Sequence, residues 1–459
     1  MYKFVRSVRL NDEACQGCIN CIKHCPTEAI RVHNGKAHII DKFCIDCGRC
    51  VIYCPHHAKI ADHDPVSLLS KYTYTVALPA PALYAQFNNL SNVDVVLNAF
   101  LKLGFDDVFE VSAAAELVSE ASRHYLKQHP NDFVISSACP SVIRLIRVKF
   151  PALLPKLLPL KAPIEIAAEI ARKKAIEQTG LPSEEIGIFF ISPCPSKVSY
   201  VKFPLGIEKS NVDHALAIKE IYPLLLPHMS HDESNLKPLS HSGRIGLGWG
   251  HSGGEVGGLL TDSYLAADGI TNILRVLEDL EDDKIHGIQF LEFSACDGGC
   301  VGGVLNVENA YVAAHKTNKL RKYQPVSKSH LSDEFAYQDT LWNRSIEYEP
   351  VFRLGNTFKE SLEMMNIVEK LTASFPGLDC GSCGAPTCQT LAEDIVRGDA
   401  QESDCIYFLR EHIYELASEI DRLAQTLDNQ TSDRRTQLIQ QHIQQLTKNL
   451  TGLGYETKV

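Results

Sequence analysis

The sequence predicts an α/β fold: a central α/β domain, a small α+β eight-cysteine module before it, and a small four-cysteine domain and a coiled-coil helix behind it. Three observations carry this. Runs of β-branched and aromatic residues alternate with helical patterns through the middle of the chain. The sixteen cysteines fall into groups that close on multiples of four. Beyond Cys405 there is no glycine or proline until Gly452, and apolar residues follow 3,4 spacing.

A length of 459 residues suggests about three domains of roughly 150 residues each. The expected boundaries are 1–64, 65–370, 371–407 and 408–459. With 45 basic and 56 acidic residues the net charge is -11, so nothing marks a nucleic-acid or anionic-membrane partner. Met1 to Leu10 has no apolar signal region, and the expected location is cytoplasmic, where thiols stay reduced and bind metal or do redox chemistry. The most apolar stretch, Phe150 to Ile170, is broken by Pro151, Pro155, Pro159 and Pro163, so no bilayer span is expected.

Predicted strands cover Asp132 to Ser137, Ile186 to Ser192 and Ile288 to Ser294. Predicted helices cover Ser91 to Leu103, closed by Gly104, and Ala162 to Glu177, closed by Gly180. Such alternation places ligand sites at strand carboxyl ends. Ser230 to Gly243 and Tyr323 to Pro350 are polar and read as surface insertions.

The first cysteine group is Cys15, Cys18, Cys21, Cys25-Pro26, repeated as Cys44, Cys47, Cys50, Cys54-Pro55. Each run has the C-x2-C-x2-C-x3-C-P spacing of two-cluster proteins, in which the fourth cysteine ligates the other cluster. Cys15, Cys18, Cys21 and Cys54 are therefore assigned to one [4Fe-4S] cubane, and Cys44, Cys47, Cys50 and Cys25 to a second. Zinc knuckles would need only one tetrahedral set per metal and no duplicated ending. The module resembles bacterial ferredoxins over about residues 6 to 62, which implies electron transfer. His56, His57 and His63 beside it read as solvated, since the thiolates are complete.

Cys380, Cys383, Cys388 and Cys405 are spaced C-x2-C-x4-C-x16-C, with a helix expected over Leu391 to Arg397. The set looks like the small four-cysteine iron-sulfur domain attached to several anaerobic redox proteins. A [4Fe-4S] cluster is favoured, with a structural zinc as the rival.

Cys139, Cys194, Cys296 and Cys300 remain, each set following a predicted strand. Ordinary buried thiols are one reading. Their context favours another: Cys139 and Cys194 precede proline, and Cys296 and Cys300 sit among Gly298, Gly299, Gly302 and Gly303, which lets backbone approach a bulky cofactor. The glycines from Gly250 to Gly258 lack nucleotide-binding context and are expected near the cofactor, with Trp249 shielding it.

These loops, Ser136-Ser137-Ala138-Cys139-Pro140, Ser192-Pro193-Cys194-Pro195-Ser196-Lys197 and Ser294-Ala295-Cys296-Asp297-Gly298-Gly299-Cys300-Val301-Gly302-Gly303, resemble the H-cluster loops of [FeFe] hydrogenases, in the family's order. The resemblance covers about residues 75 to 370. It implies a hydrogenase-like domain in which Cys139, Cys194, Cys296 and Cys300 hold a cubane and Cys300 bridges to a diiron subsite bearing CO, CN and a dithiolate amine. Lys197 would donate to an iron-bound cyanide, a fitting partner for a buried lysine; its other reading is a solvated loop residue. Pro81, in Pro79-Ala80-Pro81-Ala82, would belong to a backbone wall beside a second cyanide.

The departures matter as much. Active members carry a proton-exchanging thiol one residue before the first ligand, and this chain has Ala138 there. The family's onward relay becomes Ala113, Ala162 and Glu116, and alanine cannot carry a proton. Two pocket methionines become Ser192 and Ser294, and the last glutamate of the second motif is Tyr200. Either the diiron site is present with slow or rerouted proton supply, or the region is a plain cubane domain; Lys197 favours the first. The pattern resembles the sensory [FeFe] hydrogenases. It implies slow reversible H2 oxidation and proton reduction, with H2 and protons as substrates, a redox partner such as ferredoxin and a separate signalling protein. The alternatives are an electron-transfer or cluster-assembly protein without the diiron part, and a fully active hydrogenase using another proton route.

In the tail, Ile406, Leu409, Ile413, Leu416, Ile420, Leu423 and Leu427 form a heptad seam, Asp428 to Arg435 breaks its phase, and Ile439, Ile443, Leu446, Leu450 and Leu453 resume it. A homodimer through this seam and a hairpin on its own domain are both open.

Overall fold

A computed structural model of the chain describes residues 6–229, 235–333 and 335–428, with 437, 439 and 441. Its strands are β1 (Val8–Leu10), β2 (Ile30–His33), β3 (Lys36–Ile39), β4 (Lys59–Ala61), β5 (Tyr74–Pro79), β6 (Asp107–Val108), β7 (Val134–Ile135), β8 (Ile186–Ser192), β9 (His214–Ala217), β10 (Tyr264–Asp268) and β11 (Phe290–Ser294). Its helices are α1 (Asn20–Lys23), α2 (Arg49–Ile52), α3 (Pro81–Tyr84), α4 (Asp94–Leu103), α5 (Val111–Gln128), α6 (Pro140–Lys149), α7 (Pro163–Thr179), α8 (Pro195–Lys202), α9 (Ile218–Leu225), α10 (Arg244–Gly248), α11 (Ile270–Glu281), α12 (Ala310–Arg321), α13 (Phe358–Ser374), α14 (Cys388–Arg397) and α15 (Ile406–Asp428).

The chain forms two compact units. The first holds Met1–Cys15, His24–Ala29 and Ile39–Phe352. β1 and β4 pair antiparallel, Val8 opposite Ala61. Two parallel sheets follow, one ordered β6-β5-β8-β9 and one β10-β11-β7. All seven residues of β8, Ile-Gly-Ile-Phe-Phe-Ile-Ser, are buried. Such an unbroken apolar run is the mark of a parallel strand covered on both faces. Phe189, Phe190, Phe290 and Phe293 are among the largest fully buried side chains, and truncating any of them to alanine costs about 3–5 kcal/mol.

The expected elements shift in explicable ways. The helix expected from Ser91 starts at Asp94, because the Asn92 side chain accepts the Asp94 amide hydrogen and holds the chain before it in a turn. β7 keeps only two residues of the expected Asp132 to Ser137 run; it is the edge strand of its sheet, paired with β11 on one side and met on the other by a single bridge from Ile135 to Leu157, and a turn from His129 to Asp132 delays it. β11 starts at Phe290 rather than Ile288. The helix expected from Ala162 runs Pro163–Thr179, still capped at Gly180.

Of the two expected surface insertions, 230–234 and 334 lie outside the described residues, and the described parts are tied to the rest of the unit by side-chain carboxylates. Asp94 accepts amide hydrogens from Leu239 and Ser240, and Glu110 accepts them from His241 and Ser242. Glu116 accepts from Ser327, Lys328 and Ser329, and Thr340 is fully buried. Their described residues are mostly exposed, as the polar composition implies, and buried carboxylates satisfy the few backbone groups that turn inward.

The second unit holds Gln16–Lys23, Ile30–His38 and Arg353–Val459. β2 and β3 pair across Asn34-Gly35, both at positive φ (51° and 71°), as a two-residue hairpin requires. α13 and α14 pack around Val368, Phe375, Leu391, Ala392 and Cys405. The compact unit that holds the four-cysteine region also takes in α13, which packs against α14, and so begins at Arg353. Arg31 and Asp394 form a buried ion pair within this unit, and the Lys23 ammonium donates to the carbonyls of Asp379 and Pro386.

The α15 seam positions Ile406, Ile413 and Ile420 are exposed. The side chains of Leu423 and Leu427, the phase break over 429–435, and Ile443, Leu446, Leu450 and Leu453 lie outside the described residues. Among the described residues no helix is long and apolar enough to cross a membrane.

Candidate iron-sulfur and hydrogenase site

Four strand ends converge in the first unit. β5 runs into Ala80 and Pro81, β7 into Ser136 to Cys139, β8 into Pro193 and Cys194, and β11 into Ala295 and Cys296. Cys139 and Cys194 each cap a helix whose first residue is proline. Proline pre-sets the first helical turn, and the free amide hydrogens and dipole of that turn favour an anion such as a thiolate. Gly299 sits at φ 90°, and a Cβ there would stand 2.5 Å from the Ser252 nitrogen. Only glycine lets this loop close down.

Cys139, Cys194, Cys296 and Cys300 line one cavity, together with Asp46, Cys47, Ser196, Lys197 and Ser294. Burial pushes the Cys194 thiol up to about 11 and the Cys296 thiol well above the ordinary range. Four thiolates on one cavity repel one another unless a cation sits among them, which is what iron supplies, so the donor set fits a cubane. Lys197 is buried, not solvated, with Nζ 3.5 Å from Cys300 Sγ. Burial pulls it towards neutrality, but Cys300, Cys194, Cys139 and Cys296 outweigh burial and raise its pKa.

A second, largely apolar cavity adjoins the first and shares Cys139, Lys197, Ser294 and Cys300 with it. Its interior volume is about 60 Å³, and its walls include Pro81, Ala138, Ala162, Phe190 and Trp249. Trp249 is fixed by its Nε1 donating to Ser119 Oγ at 2.9 Å.

Two expected site residues lie off this cavity. Glu116 is not among the residues lining this cavity; both its oxygens are occupied, Oε1 by the amides of Gly243 and Gly246 and Oε2 by Ser327, Lys328 and Ser329. It is a clasp for two loops. Ser192 does not line it either: its hydroxyl donates to the Cys194 carbonyl and accepts from the Cys194 amide, a local turn that a methionine cannot make.

Sequence reasoning missed two acids. Glu255 and Glu292 both line the apolar cavity. Ser136 Oγ donates to Glu255 Oε2 at 2.6 Å, and Glu292 accepts from the amides of Gly253 (2.8 Å) and Val256 (2.9 Å). Burial raises both carboxyl pKa values, and the neighbouring Glu292 charge raises that of Glu255 further. The pair therefore retains a proton near neutral pH. The one signal was Glu292 itself, an acid inside a strand that is otherwise apolar.

The remaining cysteines distribute as follows. Cys47 has Cys25 and Cys50 as charged neighbours, and Cys44 has Cys25 and Cys47. Cys380, Cys383, Cys388 and Cys405 line one small pocket. α14 begins at Cys388 rather than Leu391, since the Thr387 hydroxyl accepts the Thr390 amide hydrogen. Cys15 and Cys54 belong to the first unit, Cys18 and Cys21 to the second.

Residues 73–262 and 251–304, just over half of the chain, match the family model for the iron only hydrogenase large subunit, C-terminal domain. The chain belongs to this iron-only hydrogenase family. Residues 7–55 of this hydrogenase-family chain match a 4Fe-4S dicluster domain, and 375–407 match an Fe-S cluster family, which favours iron-sulfur over zinc at Cys380, Cys383, Cys388 and Cys405. The NADP-reducing hydrogenase subunit HndD of Solidesulfovibrio fructosivorans is 24% identical over 355 residues, 64% of this chain and 56% of that protein. The chain thus spans about half the length of this curated relative. Among solved structures, a variant of [FeFe]-hydrogenase HydA1 from Chlamydomonas reinhardtii matches at 16% identity and TM-score 0.43, over 62% of this chain and 90% of that one. HydA(deltaEFG) matches at 15% identity and TM-score 0.43, over 64% and 92%. The protein is an [FeFe]-hydrogenase-like iron-sulfur protein.

Proposed function

We propose that this hydrogenase-family chain is a sensory [FeFe] hydrogenase: it interconverts H2 with protons and electrons slowly, and its redox or occupancy state is read by a separate signalling protein. The observation that carries this is the placement of Lys197, buried against four cysteines where they open into an apolar cavity. A plain cubane needs neither the cation nor the chamber. Ala138 supports slow turnover, because it lines the cavity at the position from which a thiol would pass a proton.

Cys139, Cys194, Cys296 and Cys300 would hold a [4Fe-4S] cubane, and Cys300 and Lys197 with the wall at Pro81 would hold a diiron part. When bound, that part supplies the redox chemistry that splits or forms H2. The residues of the chain do the rest. Phe190, Trp249, Ala162 and Pro163 keep water out of the chamber, which strengthens every charge inside it. The Lys197 ammonium balances anionic ligands. Glu255 and Glu292 hold a proton at the cavity wall, and Ser136 can pass it along the hydrogen bond to Glu255. Cys47 shares the cubane cavity, so a cluster held by the second ferredoxin-type set would be the group placed to exchange electrons with this site. The four sets together would make four cubanes, with a ferredoxin-type redox partner and, through the α15 seam, a homodimer.

Infrared spectroscopy of protein loaded with a synthetic diiron precursor tests the reading. Protein-bound CO and CN bands that shift under H2 are expected. A silent spectrum with about sixteen iron and sixteen sulfide per chain, four per cubane, would make the chain an electron-transfer or cluster-assembly protein and sink the hydrogenase reading.

A further inference from the structure

We propose that the buried guanidinium of Arg144 sets the reduction potentials of the two iron-sulfur sites between which it stands, the Cys25, Cys44, Cys47, Cys50 set and the Cys139, Cys194, Cys296, Cys300 set. The inference rests on the cluster occupancy of the reading above and not on its hydrogen chemistry.

Arg144 lies in α6, five residues after Cys139, on a helix that otherwise buries Val142, Ile143, Leu145 and Ile146. It is only 6% exposed. An arginine inside a core is expensive, and it cannot shed its proton, so its charge must have a use or a partner. Its Nη1 donates to Ser199 Oγ at 2.8 Å and Ser196 Oγ at 3.3 Å. Both hydroxyls belong to α8, the helix that Cys194 caps. They aim the guanidinium without neutralising it.

The charges facing it come from two directions. Asp46 and Cys44 belong to the ferredoxin-type loop and Cys139 to the hydrogenase-like site, while Arg147 on the same helix adds a like charge. Asp46 does not offset the cation freely: its oxygens already accept from the amides of Ser7 (2.6 Å) and Val8 (3.1 Å). Ser196, Asp46 and Cys47 line the same cavity as the four cysteines of the second site, so the arginine and both sets share one low-dielectric region. A four-thiolate cluster is anionic and gains one more negative charge on reduction. A fixed buried cation stabilises the reduced form of each, and cluster potentials follow net charge and solvent exposure. Lys197 faces Cys300 first, whereas Arg144 faces Asp46 and Cys44 first. Arg144 thus couples the ferredoxin-type site to the cubane and makes it easier for an electron to rest on that pair. Through these effects it is a positioning residue and touches no substrate.

The test is a redox titration followed by electron paramagnetic resonance, on full-length protein carrying its cubanes without the diiron part. Arg144→Gln is expected to move the midpoints of both sites to more negative values, lowering the reduced-to-oxidised ratio at the wild-type midpoint roughly tenfold, which is 59 mV for a one-electron couple. Arg144→Lys is expected to restore most of it, and Asp46→Asn to move both midpoints the other way. Midpoints unmoved by Arg144→Gln overturn the proposal. So does an Arg144→Lys protein displaced as far as Arg144→Gln, because hydrogen-bond geometry and not charge would then be responsible. Cluster loss in the Arg144 variants with midpoints unmoved by Asp46→Asn reassigns Arg144 to folding. Wild-type protein without cluster signals sinks the parent reading and this one with it, an outcome distinct from signals whose midpoints do not move.

Discussion

Ser136 donates a 2.6 Å hydrogen bond to Glu255, a residue 119 positions further along the chain, and the same serine hydroxyl accepts the amide hydrogen of Ala138. A hydroxyl and a buried carboxyl therefore reach the position where the family's proton-exchanging thiol is missing. If this pair carries protons to the cavity, Glu255→Gln in diiron-loaded protein lowers H2 turnover by about 10²-fold, the usual size of a general acid-base contribution. Hydrogen uptake with a dye acceptor measures it, and activity within twofold of wild type would rule the pair out.

Ala138→Cys restores a thiol facing the same cavity. Turnover should rise about tenfold or more in loaded protein, with little change in thermal stability, since one sulfur enters a chamber that has room for it. The comparison is made by hydrogen evolution at equal infrared band intensity. Unchanged turnover would place the limiting step outside proton supply.

Glu165, on α7, accepts from Ser210 Oγ (2.6 Å) and the Asn211 amide (2.8 Å), and burial, the largest cause, raises its pKa to about 7 from 4.5. The native state holds this proton more tightly than the unfolded chain does. The stability linked to Glu165 is thus complete below pH 4.5 and lost as pH rises through about 7. Glu165→Gln, neutral at every pH and able to keep one acceptor, should be the more stable protein at pH 8 by on the order of 1–3 kcal/mol. Thermal unfolding of both proteins at pH 5 and pH 8 checks this, and a gap that does not widen with pH would refute it.

Arg31 and Asp394 are 363 residues apart and both nearly fully buried, at 5% and 5% exposure. Removing Arg31 leaves buried Asp394 with only its longer ion pair to Arg397, at 3.7 Å, so Arg31→Met is expected to cost about 3 kcal/mol within the second unit. The double variant Arg31→Met, Asp394→Leu should recover much of that loss. Denaturant unfolding of the three proteins decides it; a double variant no better than the single would show that the pair is not the source of the loss.

The sequence alone determined the cysteine inventory, its division into sets, the parallel α/β character and the loops that carry Cys139, Cys194, Cys296 and Cys300. Those signals are local: thiolate spacing is dictated by the cluster, and a doubly buried strand such as β8 must read as an apolar run. Residues whose partners are close in sequence, such as Cys139 with Pro140, were legible for the same reason. What only the tertiary structure decided depends on groups brought together from distant segments. Nothing in the neighbourhood of Glu116 says that its carboxylate closes two loops more than a hundred residues away. Nor does the sequence around Glu255 and Glu292 say that burial will place both on one cavity wall. Hydrophobic periodicity reports what leaves water and is silent on which polar groups meet inside, since a buried hydrogen bond is specified by geometry in three dimensions and not by spacing along the chain.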